Sequence, residues 1–231
     1  NDLSLDIKAG EVVAIAGVQG NGQSELVRAI VNLEPHTSGS VKLNGKEILG
    51  NSVSKTLHQG VAYVPESREL DGLIGSFTIA ENLILDTHEN QPFSKYGQLS
   101  NSKVLENAEK LTKEFDIRLQ GVFDTASSLS GGNKQKVVLA RELSRDVKLV
   151  IASQPTRGLD VGSIEFVHER LLAERKSGRA ILLVSTELDE VTALADRIAV
   201  MYRGEILGIV SPDTSREKLG LMMAGIKERA S

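Results

Sequence analysis

Residues 11–31, "EVVAIAGVQGNGQSELVRAIV", decide how this chain is read. A short apolar run, "EVVAIAG", leads into a glycine-rich turn and then into "SELVRAIV", whose spacing predicts a helix. Strand, loop and helix in that order aim successive backbone N–H groups and a helix N-terminus into one concavity, which suits an anion. The candidate binding stretch is Gly17, Gly20, Asn21, Gly22, Gln23, Ser24 and Glu25. Gly17, Gly22 and Ser24 satisfy the phosphate-loop pattern G-x-x-x-x-G-K-[ST], but Gln23 stands where that pattern demands lysine. On this stretch alone a second reading stays open: a glycine turn whose helix end is satisfied by the first-turn carboxylate of Glu25.

Outward from the loop, short apolar runs recur at "GVAYV" (60–64), "KLVIAS" (148–153), "AILLVS" (180–185) and "RIAVMY" (197–202). Runs rich in Val and Ile, and apolar on both faces, suit buried parallel strands. Asn44-Gly45 and Arg203-Gly204 predict hairpins, which adds antiparallel pieces at the margin. Residues 67–128 break the alternation. They hold no buried-strand pattern, a turn-rich "ENQPFSKYG", and a helix over 102–115 with Val104, Ala108, Leu111 and Phe115 on one face. A last helix opens at Ser215, with Leu219, Met222, Met223 and Ile226 as its stripe. The fold class is therefore α/β, a mainly parallel sheet with an antiparallel margin and a helical insertion.

Composition narrows the function. Forty per cent hydrophobic and 25% charged residues over 231 positions suit a soluble globular domain. A net charge of −4 argues against a nucleic-acid partner. With no cysteine, thiolate metal sites and disulfides are excluded. No apolar run approaches the about 18 residues of a membrane span. The opening "NDLSLDIKAGE" lacks the basic and apolar regions of a signal peptide.

Two further stretches give the glycine loop its context. Leu129, Ser130, Gly131, Gly132, Asn133, Lys134 and Gln135 resemble the signature sequence of ABC ATPases, and a helix-forming "KVVLARELSR" follows. "LVIASQPTRGLD" (149–160) resembles that superfamily's Walker B strand running into its D-loop, with Asp160 as the D-loop aspartate. "YVPESRELDG" (63–72) is similar to the Q-loop and "LLVSTELDEV" (182–191) to the switch segment, all in the family's order. The resemblance covers essentially the whole chain. It implies a P-loop NTPase core at about 1–66 and 140–231, with a helical insertion carrying the signature at about 67–139, in one domain spanning 1–231.

The resemblance also implies where chemistry is missing. Gln23 replaces the lysine that would reach the phosphates. Ser153 replaces the Walker B aspartate of the magnesium shell, leaving Ser24 as a weak metal ligand. Gln154 replaces the glutamate that would polarise water, Thr186 the switch histidine, and Glu66 the Q-loop glutamine. Phosphoryl transfer depends on positioning and charge stabilisation, so these losses fall on the groups that matter most. ATP and magnesium are accordingly expected to bind weakly or not at all at this domain's own site. An unaltered signature could still complete a site on a head-to-tail partner, with Ser130, Gly131 and Gly132 facing its γ-phosphate.

"GVQGNGQSEL", "YVPESRELDGLIGSFTIAENL" and "PTRGLDVGSIEFVHERL" look like the second ATPase half of fused subunits that drive importers of ribose-type sugars and nucleosides. Ala152-Ser153-Gln154-Pro155 leans toward the nucleoside branch. The implied partners are the first ATPase half of the same subunit or another ABC domain, and a membrane permease docking on the helical insertion. The implied location is cytoplasmic, on the inner face of the cell membrane. An ATPase active on its own and a regulatory ABC-type protein are the competing readings.

Overall fold

The computed structural model describes residues 3–34 and 38–226. The chain divides into two compact units, one of residues 1–63, 147–154 and 168–231, the other of residues 64–146 and 155–167.

The first unit is built on a six-stranded sheet. β1 (Val12–Ala16) leads through the glycine loop into α1 (Gln23–Ile30), as the opening stretch predicts. β2 (Lys42–Leu43) and β3 (Lys46–Glu47) form a separate hairpin around Asn44 and Gly45, both at positive φ. α2 (Val53–His58) precedes β4 (Val61–Val64). After the second unit's helices the sheet resumes: β7 (Leu149–Ser153), β8 (Ala180–Ser185), α7 (Leu188–Leu194), β9 (Arg197–Tyr202), β10 (Glu205–Val210) and α8 (Arg216–Met223). The strand order is β10-β9-β1-β8-β7-β4. β1 pairs parallel with β8 and β9, β7 parallel with β8, and β10 antiparallel with β9. All five β1 residues are buried, which explains their lack of a polar face. Ile15, Val27, Ile151, Leu182 and Val184 form the centre of the core.

The second unit is mainly helical. It holds α3 (Ile79–Leu83), a small hairpin of β5 (Ser94–Lys95) and β6 (Gln98–Leu99), α4 (Asn101–Glu114) and α5 (Gly131–Leu143). α6 (Val161–Lys176) begins there. Val104, Ala108, Leu111 and Phe115 are buried, the face predicted from their spacing. Asn82 is fully buried; its side chain bonds the N–H and C=O of Ile74 and the carbonyl of Thr78, clamping the loop before α3. Residues 68–72 coil into one π-type turn, capped by the Ser67 side chain.

The turn-rich "ENQPFSKYG" holds the turn of the β5–β6 hairpin, at Tyr96-Gly97, both at positive φ. One local expectation fails. Ile226 does not extend the terminal stripe: α8 ends at Met223, Gly225 adopts φ 84°, and Ile226 is exposed, while Leu219 and Met223 are buried.

Candidate functional site

The glycine loop lies in the first unit between β1 and α1. Gly22 takes a left-handed conformation at the helix N-cap, so the helix opens without a side-chain cap. Ser24 and Glu25 are exposed on its first turn. Gln23 is 6% exposed, and its Nε2 donates to the Val18 carbonyl at 3.2 Å, across the loop it belongs to. The glycine at position 17 makes this possible: a Cβ there would stand 2.4 Å from Gln23 Nε2 and 2.7 Å from the Met201 carbonyl oxygen. The amide is thus spent on closing the loop, and no cation occupies the lysine position. Asn21 acts backwards as well. Its Oδ1 accepts from the Arg203 N–H at 3.1 Å and its carbonyl from the Gly204 N–H at 2.8 Å, tying the loop to the β9–β10 turn. Sequence reasoning grouped Asn21 with the binding residues and had no signal for this buttress.

Ser153 ends β7 and is 2% exposed. Gln154 follows at φ 48°, its N–H donating to the Val184 carbonyl at 2.7 Å. Its Oε1 accepts both the N–H and the hydroxyl of Thr186, each at 3.3 Å. The structure therefore brings the expected water-polarising position and the expected switch position together, as two neutral groups bonded to each other. Neither can take a proton as a carboxylate or an imidazole does. Among the described residues no group of three or more His, Cys, Asp or Glu is placed to hold a metal. Ser24 and Ser153 offer hydroxyls where a magnesium shell needs a carboxylate, so this donor set fits the ion poorly.

The second unit carries Glu66, the signature and Asp160. Glu66 is ion-paired with Arg157, an arrangement a glutamine could not make. Ser130 caps α5, its Oγ accepting from the Asn133 N–H and, at 3.0 Å, from the Asn133 side-chain amide. Asn133 Oδ1 in turn accepts the Arg118 N–H at 2.8 Å. With its lone pairs taken, the exposed Ser130 hydroxyl is left to donate outward. A hollow of about 750 Å³ opens beside it, lined by Arg118, Phe123, Leu129, Ser130 and Asn133 among others. Lys134 pairs with Glu69, while Leu129 and Gln135 are buried in the unit. Asp160 caps the start of α6: its two oxygens accept the Ser163 N–H at 2.9 Å and the Ser163 hydroxyl at 2.8 Å. Those bonds, the hydroxyl first, hold its carboxyl below the usual range.

Comparison with known proteins fits this geometry. The family model described as "ABC transporter" matches residues 1–157. The nucleoside import ATP-binding protein NupA of Lactococcus lactis is 51% identical over 224 residues, 96% of this chain but 44% of that protein. The guanosine import ATP-binding protein NupO of Bacillus subtilis is 45% identical over 229 residues, covering 99% of this chain and 45% of that protein. The chain thus spans less than half the length of these relatives. Among solved structures, a dimeric ATP-binding cassette in a post-hydrolysis state with ADP and Pi superposes with a TM-score of 0.77 at 24% identity, covering 93% of this chain and 90% of that one. At that identity the match speaks for the fold.

Proposed function

The chain belongs to the ABC transporter family, and from that premise we propose that it is the second, C-terminal nucleotide-binding domain of an importer's ATP-binding subunit. Its own phosphate loop is relieved of hydrolysis. Its signature completes the ATP site of a head-to-tail partner, the first ATPase half of the same subunit or another ABC domain. Residues 1–231 act as one ABC ATPase domain, a core of about 1–66 and 140–231 with a helical insertion at about 67–139. The solute is a nucleoside or a simple sugar, in keeping with the names of the long relatives. Among the described residues no helix is long and apolar enough to cross a membrane. In this reading a permease therefore carries the membrane role, and the domain sits on the cytoplasmic side at the inner face. Leu70 on the π-type turn, with Ile74 and Phe77 on the loop clamped by Asn82, is exposed and offers that permease an apolar contact. Nucleic acid has no part in this.

The observation that carries the reading is the fate of Gln23. A buried amide bonded to Val18 closes the cradle without charge, whereas Ser130 stands exposed at the mouth of a capped helix. ATP and magnesium are held chiefly by the partner's loop and weakly or not at all here. The test compares Gly131→Asp with Gln23→Ala in the full-length transporter. Gly131→Asp puts a carboxylate where phosphate must approach and should lower solute-stimulated ATPase by ~10²-fold or more. Gln23→Ala should change it only a few-fold. Equal damage from the two refutes the division of labour.

A further inference from the structure

Arg68 lies in the π-type turn at residues 68–72, a segment the motif reading passed over. Its guanidinium covers the first residue of the signature helix: Nη2 lies 3.0 Å from where a Gly131 Cβ would be, and Nε 3.6 Å. Nη1 is anchored to the Arg157 carbonyl at 2.9 Å, on the segment that leads to Asp160. Nε is buried and has no hydrogen-bond partner among the described residues.

This placement is electrostatically unfavourable as it stands. The N-terminus of a helix is its positive end, so a guanidinium parked there is repelled unless an anion joins the pair. Three neighbouring cations are already matched, while Arg118, lining the hollow beside Ser130, acts on Asp116 at longer range. Lys134 pairs with Glu69, Arg157 with Glu66, and Lys136 with Asp116 while lying 4.6 Å from the Phe166 ring centre. No carboxylate forms a salt bridge with Arg68 among the described residues, although Glu69 acts on it at longer range. The π-type turn puts this side chain beside Gly131.

We infer that Arg68 supplies the positive charge of the signature surface, contacting the terminal phosphate of the nucleotide held by the partner domain. This rests on the signature-donating role proposed above and adds a residue to it. The planar fork suits phosphate oxygens. A cation reaching a transferring phosphoryl group from a second domain stabilises charge spread over its oxygens in the transition state. The chain that lost the lysine at position 23 thus keeps a cation for the other nucleotide.

The experiment uses the full-length subunit with its permease and measures kcat and KM for ATP, vanadate inhibition and thermal unfolding. Arg68→Gln can still donate to the Arg157 carbonyl but carries no charge. It should lower kcat by ~10²-fold or more with KM little changed, weaken vanadate inhibition in parallel, and leave the unfolding temperature near that of the wild type. Arg68→Lys should recover part of the loss. Gly131→Asp is the control. If it leaves ATPase intact, the signature-donating role falls and this inference with it. If it is damaging while Arg68→Gln keeps kcat within about threefold of wild type, Arg68 alone is misassigned. Loss of kcat in Arg68→Gln and Arg68→Lys alike, with a matching drop in unfolding temperature, would make the arginine structural and overturn the inference.

Discussion

Gly132 and Ser163 are packed so closely that a Cβ on Gly132 would lie 2.1 Å from the Ser163 hydroxyl and 3.1 Å from its Cβ. Ser163 is bound in turn to both oxygens of Asp160. Gly132, Ser163 and Asp160 are therefore one packed assembly.

Gly132→Ala should destabilise this assembly by about 1–3 kcal/mol, the usual cost of overpacking. Ser163→Gly removes the two nearest atoms that the new methyl meets and leaves Asp160 Oδ2 at 3.3 Å. In a double-mutant cycle read by thermal unfolding, the pair should recover most of the loss. Simple additivity of the two variants would show that the contact carries no energy.

Gln23→Ala should cost about 1–2 kcal/mol, since it removes a buried amide and leaves the Val18 carbonyl with the Asn21 N–H alone, at 3.3 Å. Gln23→Lys restores a charge beside any bound polyphosphate and should tighten ATP binding measurably by calorimetry. It should not restore phosphate release, because Gln154 and Thr186 still face each other as neutral groups. Tight ATP binding in the wild type, unchanged by the lysine, would contradict this account of the loop.

Asn82→Ala would leave the Ile74 N–H without its acceptor, while the Ile74 carbonyl keeps the Phe77 N–H at 3.0 Å. A loss of about 2 kcal/mol or more is expected. Hydrogen exchange at the Ile74 amide should accelerate well before the sheet amides respond. Uniform acceleration across the chain would mean that Asn82 supports the whole fold and not this loop.

Asp160 has its carboxyl held below the ordinary range by the Ser163 hydroxyl and N–H. A depressed carboxyl stabilises the fold above the unfolded value, near 4, and the contribution is lost as pH falls through the lower, folded value. Between pH 6 and pH 3 the wild type should therefore lose more unfolding temperature than Asp160→Asn. Parallel curves for the two proteins would remove this carboxylate from the acid response.

Much of this protein was legible in its residues because the information was local. The burial of β1 on both faces follows from "VVAIA" alone, and the hairpin turns follow from Asn44-Gly45 and Arg203-Gly204. The face of α4 follows from its 3.6-residue period. The charge at each expected site position was legible too, since an amide carries none whatever surrounds it. Ile226 escaped because the end of α8 and the backbone at Gly225, not the side-chain type, decided the outcome.

Only the tertiary structure decided where those side chains go. Nothing in "GVQGNGQS" says that Gln23 folds back on Val18 or that Asn21 is bound by the turn at Arg203, 182 residues away. Nor does sequence spacing place Arg68 against Gly131, or Ser163 against Gly132. The physical reason is that periodicity and turn chemistry act over a few residues, whereas a buried donor is satisfied by whatever acceptor the chain's packing delivers. The sequence determined which side-chain types stand at these positions; the fold decided what they face.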